Sequence, residues 1–167
     1  MEHDHRPSAS HPPSDLAEGR SLYGRLLWMT ALSFVTMYVL MYAMVDVVGN
    51  VYLNFTQFYM AGLMAAPMAA IELSLMRSMY PNKRLNTLVF AASAAAALVF
   101  FLLIRQQTGI SDRQFLRSMI PHHAAALLMC ERAPVEDPQI QDLCGRILSS
   151  QQAEIDEMKA KLQELGG

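Results

Sequence analysis

Leu85-Asn-Thr-Leu-Val-Phe-Ala-Ala-Ser-Ala-Ala-Ala-Ala-Leu-Val-Phe-Phe-Leu-Leu-Ile104 carries no formal charge from end to end. A helix of ~20 apolar residues crosses the hydrocarbon of a bilayer, so this run reads as a transmembrane span. Upstream, Tyr52 to Met76 has Glu72 as its one charge, and Leu26 to Val48 has Asp46. Gly49-Asn50 predicts a tight reversal between those two segments, and the loop Arg77-Ser-Met-Tyr-Pro81-Asn-Lys83-Arg84 punctuates the next connection. Residues 22–105 are therefore expected to form a three-helix transmembrane domain, with spans at about 26–48, 52–76 and 85–104.

Composition agrees. At 167 residues, 53% hydrophobic and 17% charged, with a mean hydropathy of +0.19, the chain is too apolar for an ordinary soluble domain. The net charge of −2 and a pI near 6.2 leave no basic surface, and no Lys or Arg run is interleaved with aromatics, which argues against nucleic-acid binding. The expected partner is the lipid bilayer. Residues 1–21 are polar and lack a short apolar core ahead of a small-residue cleavage site, so they read as a retained, disordered tail rather than a removable signal. The tail carries His3, His5 and His11. Arg20 and Arg25 flank the first span and Arg77, Lys83 and Arg84 fill the second loop, whereas Gly49-Asn50 is uncharged; basic loops face the cytoplasm. The tail is thus expected to be cytoplasmic, and residues 106–167 to lie on the outer side.

That outer segment reads as an antiparallel helical hairpin. Ser111 or Asp112 offers an N-cap, and Phe115, Leu116, Met119, Ile120, Leu127 and Leu128 recur at helical intervals to about Ala133. Pro134, Asp137 and Pro138 make a turn, and a second helix runs from about Gln139 to Leu165. The whole chain is then all-α. Two helices do not bury a core alone, so the hairpin should pack on its own membrane domain or on another copy, making a homo-oligomer. Pro121 is expected to kink the first hairpin helix beside His122 and His123, because it removes a donor and crowds the carbonyl of Arg117.

Met119, His122, His123, Ala126, Met129 and Cys130 share one broad stripe of that helix, and Glu154 and Met158 share a face of the next. Thioether sulfur with imidazole nitrogen is the ligand pair that suits copper, soft enough for copper(I) and with nitrogen enough for copper(II). Glu154 reads best as an acceptor for an imidazole N–H, fixing the tautomer that leaves the other nitrogen for metal. The strings Phe-Leu-Arg-Ser-Met-Ile-Pro-His-His-Ala-Ala-Ala-Leu-Leu-Met, Asp137-Pro138, and Ile147-Leu-Ser-Ser-Gln-Gln-Ala-Glu-Ile-Asp-Glu-Met-Lys159 resemble the bacterial "domain of unknown function 305" family over roughly residues 112 to 164. The resemblance implies a ferritin-like helical fold and a periplasmic role in copper binding and tolerance. It carries over Met119, His122, His123, Met129 and Met158 as copper ligands, with Glu154 supporting them. Where many relatives have polar residues after the histidines and an acidic one before the second methionine, this chain has Ala124, Ala125 and Leu128. A di-iron site would need Glu-x-x-His repeated on bundle helices, and the one match, Glu2-x-x-His5, lies in the tail, with none in the expected helices.

The resulting expectation is a copper-binding protein anchored in a bacterial inner membrane. Its hairpin would be periplasmic and would sequester or deliver copper, with silver the second candidate ion and copper-efflux or copper-delivery proteins as partners. A second reading uses the transmembrane methionines. The chain has 13 methionines, and Met60, Met64, Met68, Glu72 and Met76 recur every fourth residue, with Met37, Met41 and Met44 on the first span. Such Met-x-x-x-Met spacing is similar to three-span copper transporters. The same methionines serve equally as lipid-facing or packing residues, and Asp46 and Glu72 as ionisable groups that reach the interface or mark a path. Glu72 could also pair with Arg25 or Arg77. A third reading is a metal-free assembly protein. Cys130 and Cys144 leave a disulfide, a copper thiolate at Cys130, and two inert thiols open as alternatives. No nucleophile with a base, phosphate loop or cofactor motif appears, so an enzyme is not expected.

Overall fold

The computed structural model describes residues 14–166, giving the helical path over 14–21 and side chains from Leu22 onward. Among the described residues the fold is all-α, with five helices and no strand: α1 Ser14–Leu40, α2 Phe55–Leu75, α3 Lys83–Gln106, α4 Asp112–Arg132 and α5 Pro138–Glu164. The segments Leu22–Met44, Phe55–Leu75 and Lys83–Gln106 are long and apolar enough to cross a membrane. His3, His5 and His11 lie outside the described residues.

Two boundaries differ from the sequence expectation. Helix α1 begins at Ser14, inside the segment expected to be a disordered tail, because the helix formers Leu16, Ala17, Glu18 and Arg20 outweigh Gly19. At its other end the helix stops at Leu40, tightens into a 3-10 turn over Met41–Met44, and gives way to a longer connection instead of reversing at Gly49-Asn50. The reason is local. Asp46 Oδ1 accepts from Val47 N at 2.7 Å and from Asn50 Nδ2 at 2.6 Å, offering the backbone an alternative to the helix. Asn54 then caps α2 by accepting from Gln57 N at 2.9 Å.

Helix α2 is the middle layer, packed on both α1 and α3. It buries Ala61, Gly62, Ala65, Ala66 and Leu73, a small-residue face that permits close backbone approach in lipid. Gly62 is the tightest point: a Cβ there would run into the Phe100 ring. The alanine run on α3 contributes less to such a seam, since Ser93 is buried while Ala91, Ala92, Ala94 and Ala95 face outward. Large apolar side chains remain exposed around the outside, among them Trp28 and Leu98. An apolar exterior over helices of this length is the pattern of a lipid-facing surface.

Helices α4 and α5 pack around Ile120, Ala124, Leu127, Ile155 and Leu162, and Val45 and Tyr52 of the α1–α2 connection pack on the same cluster. Helix α5 starts as its sequence dictates, with Pro138 in its first turn and Asp137 Oδ1 accepting from Gln139 N and Ile140 N. Ser111 caps α4 without a side-chain hydrogen bond. Asn54 and Gln114 bind the two layers together, since Phe55 N donates to Gln114 Oε1 at 3.1 Å.

Candidate metal centre

Helix α4 runs through Pro121 without interruption, and Pro121 itself is buried. Proline has no N–H, so the carbonyl of Arg117, one turn earlier, loses its intrahelical donor. Asn54 Nδ2 approaches that carbonyl at 3.5 Å, so the residue that caps α2 also reaches the proline-freed carbonyl. The Asn54 amide bonds the Tyr52 carbonyl at 2.9 Å and Gln57 Oε1 at 2.8 Å more closely, so its contact with Arg117 is the weakest of the three. The sequence reading missed Asn54, although an Asn ahead of an apolar helical run is a recognisable N-cap signal.

The two histidines have different environments. His123 is buried at 7% exposure and His122 is exposed, their ring centroids 6.1 Å apart. His123 Nδ1 lies 3.0 Å from the Met119 carbonyl oxygen and Nε2 lies 2.7 Å from Glu154 Oε2. A carbonyl only accepts, so Nδ1 donates. The Nε2–Oε2 contact then holds one further proton, either as imidazolium with carboxylate or as neutral imidazole with carboxylic acid. Neither ring nitrogen has a free lone pair in either form. Glu154 does bind an imidazole as the spacing suggested, but the second nitrogen is bonded to the backbone, and metal ligation by His123 requires breaking one of these bonds.

His123 meets Glu154, and Cys130 meets Cys144. Higher positions on α4 therefore face lower positions on α5, and this register brings Met158 to the level of Met119. Met119 is half-buried and three residues before His122, a spacing that places neighbouring Cβ atoms on one helical face. Met158 is half-buried against the α4–α5 core. Met129 is 52% exposed and stands two turns from His122, a rise of ~10 Å, so the two do not share an ion within one helix. His122 is thus the open imidazole, with Met119 one turn before it on α4 and Met158 at the corresponding level of α5.

Among the described residues no group of three or more His, Cys, Asp or Glu is arranged to hold a metal. Borderline and hard ions such as zinc, iron or calcium take those donors. Thioethers with a single imidazole fit a soft monovalent ion instead. The Cys130 and Cys144 thiols are free, and the hydrogen bond to Cys144, with burial second, pushes the Cys130 thiol up to about 11. A thiol held protonated is a poorer ligand than a thiolate.

The transmembrane candidates are dispersed. Met37, Met41, Met60, Met68 and Glu72 are half-buried, while Met44 and Met64 are exposed. The buried face of α2 consists of its small residues, and two grooves lined by α1, α2 and α3 together contain no methionine. Among the described residues Glu72 makes no ion pair with Arg25 or Arg77.

The family model described as "Domain of unknown function (DUF305)" matches residues 64–162. The match begins inside α2, well upstream of the segment that carried the sequence resemblance. The chain is also similar to "Uncharacterized protein L153" of Acanthamoeba polyphaga mimivirus, 32% identical over 142 residues, covering 83% of this chain and 91% of that protein. An alignment of that length extends beyond α4 and α5 into the apolar helices. No solved structure matches the chain. The α3–α4–α5 unit with its Met119/His122 face thus lies within the matched region, and the chain belongs to the DUF305 family, a domain of unknown function.

Proposed function

We propose that this is a membrane-anchored protein that binds copper(I), with silver(I) as the second soft candidate, for sequestration, tolerance or delivery. In this reading α1, α2 and α3 span the membrane and α4 and α5 form a hairpin outside it. The observation that carries the reading is the division of labour between the histidines. His123 ties α4 to α5 through Glu154, and His122 is left open beside Met119, at the level of Met158. Met119, His122 and Met158 would hold the ion, which is cargo here. His123 and Glu154 position the helices, and Met129 would act separately or against another copy. Loop residues Arg77, Lys83 and Arg84 support a cytoplasmic second loop and a periplasmic hairpin in a bacterial inner membrane. Copper-efflux or delivery proteins are the partners this role needs.

The test is copper(I) and silver(I) titration of the detergent-purified full chain beside His122→Ala and Met119→Leu. Binding lost in both variants supports the reading. Binding intact in both, but lost when Met60, Met64 and Met68 become leucine, would transfer the role to the membrane methionines. No binding in any form would leave the assembly reading.

A further inference from the structure

At the end of α2 and the start of α3, opposite the α4–α5 layer, lies a groove of about 690 Å³. Its walls differ in character. Phe90 and Pro81 give it accessible apolar surface above the buried Leu73, and the exposed Arg77, Ser78 and Lys83 give it a polar, cationic mouth. Leu73 belongs to the buried cluster with Leu26 and Tyr80, so the floor is fixed by packing. The mouth has a specific donor inventory. Ser74 Oγ donates to the Ala70 carbonyl and Thr87 Oγ1 to the Lys83 carbonyl, so both hydroxyl hydrogens are already engaged by their own helices. The Arg77 guanidinium, the Lys83 ammonium and the Ser78 hydroxyl remain to face an occupant, and among the described residues no carboxylate lies within 4 Å of either cation.

A cationic mouth over an apolar floor, placed where two apolar helices end, has the chemistry of an anionic amphiphile. We propose that this groove holds one anionic glycerophospholipid. The phosphate is bound by Arg77 and Lys83, and the first acyl carbons lie on the exposed faces of Phe90 and Pro81. Arg matches phosphate oxygens with paired donors, and Lys adds a point charge. Two cations at the surface also draw anionic lipid electrostatically, but the groove adds a shape that a scattered basic loop lacks. The inference rests on the reading that α2 and α3 span a membrane, and it is independent of copper.

The experiment uses the full chain reconstituted in vesicles of equal phosphatidylglycerol and phosphatidylcholine, extracted in mild detergent, with bound lipid quantified by mass spectrometry. Flotation with the vesicles reports membrane insertion separately, so a chain that fails to float defeats the membrane reading, and this proposal with it. For a chain that floats, phosphatidylglycerol is expected at least threefold enriched over phosphatidylcholine. Enrichment should vanish in Arg77→Gln/Lys83→Gln, persist in Arg77→Lys/Lys83→Arg, and persist in Arg105→Gln at the other end of α3. Equal retention of the two lipids by the wild type, or unchanged enrichment in the glutamine variant, overturns the proposal. Release of the lipid by millimolar inorganic phosphate would overturn it too, by showing an anion site indifferent to the lipid.

Discussion

Replacing Glu154 with alanine separates positioning from ligation, because the two roles predict different effects. The side chain is 53% exposed and its partner His123 only 8%. A hydrogen bond to a charged group contributes ~1.5–3 kcal/mol, and exposure of Glu154 reduces that toward ~1. Leaving His123 Nε2 buried without a partner adds a penalty that is itself relieved where water follows the vacated carboxylate, so the total is about 1–2 kcal/mol. For a chain of this size that lowers the melting temperature by about 2–8 °C. The assay is circular dichroism of the full chain in detergent, alongside copper(I) titration against a competing chelator. Stability should fall and copper affinity should stay within about threefold, because His122 and the thioethers are the ligands. Were His123 the ligand through Nε2, its carboxylate partner would compete with the metal and Glu154→Ala would tighten binding; through Nδ1, the carboxylate would orient the ring and the variant would weaken binding. A tenfold change in affinity in either direction, or a melting temperature that does not move, refutes the assignment.

Other substitutions test other contacts. Ile120→Ala and Ile155→Ala, at fully buried positions of the α4–α5 core, should each cost about 2–5 kcal/mol by thermal or denaturant unfolding. Gly62→Ala forces the Phe100 ring aside and should cost about 1–3 kcal/mol in detergent unfolding; Phe100→Ala in the same chain should recover part of it, and additive losses would deny the contact. With both thiols reduced, Cys130 at about 11 against an ordinary 9.0 has a ~100-fold smaller thiolate fraction at pH 8, offset about tenfold by greater nucleophilicity. Its exchange with an aromatic disulfide should therefore be about tenfold slower than that of an ordinary thiol, and Cys144→Ala should restore the rate. Because the folded thiol holds its proton above the unfolded value, the stability it contributes is full below about pH 9 and is lost as pH rises toward about 11. A melting temperature flat across that window in wild type but not in Cys130→Ala would contradict the sign.

The parts legible in the sequence were those with a one-dimensional signature. Uninterrupted apolar runs marked the three long apolar helices, and Asp137-Pro138 marked the start of α5 to within a residue. The start of α1 was not legible, because a polar amphiphilic stretch such as Ser14–Arg20 has helix formers but no apolar periodicity. The α1–α2 connection was misread at Gly49-Asn50 because Asp46 and Asn50 bond each other and the backbone, a competition that spacing does not reveal. Spacing put Met119, His122 and His123 on one broad stripe, within which His122 is exposed and His123 buried. It could not show that Met119 supplies its carbonyl to His123, or that Glu154 takes the remaining nitrogen, since both depend on rotamer and on register between two helices.

The most direct measurement is copper(I) stoichiometry and affinity of the detergent-purified full chain beside His122→Ala. The account predicts a stoichiometric soft-metal site in the wild type and at least tenfold weaker binding in the variant, with helix content unchanged. Equal copper binding by the two proteins, or none by the wild type, would contradict it.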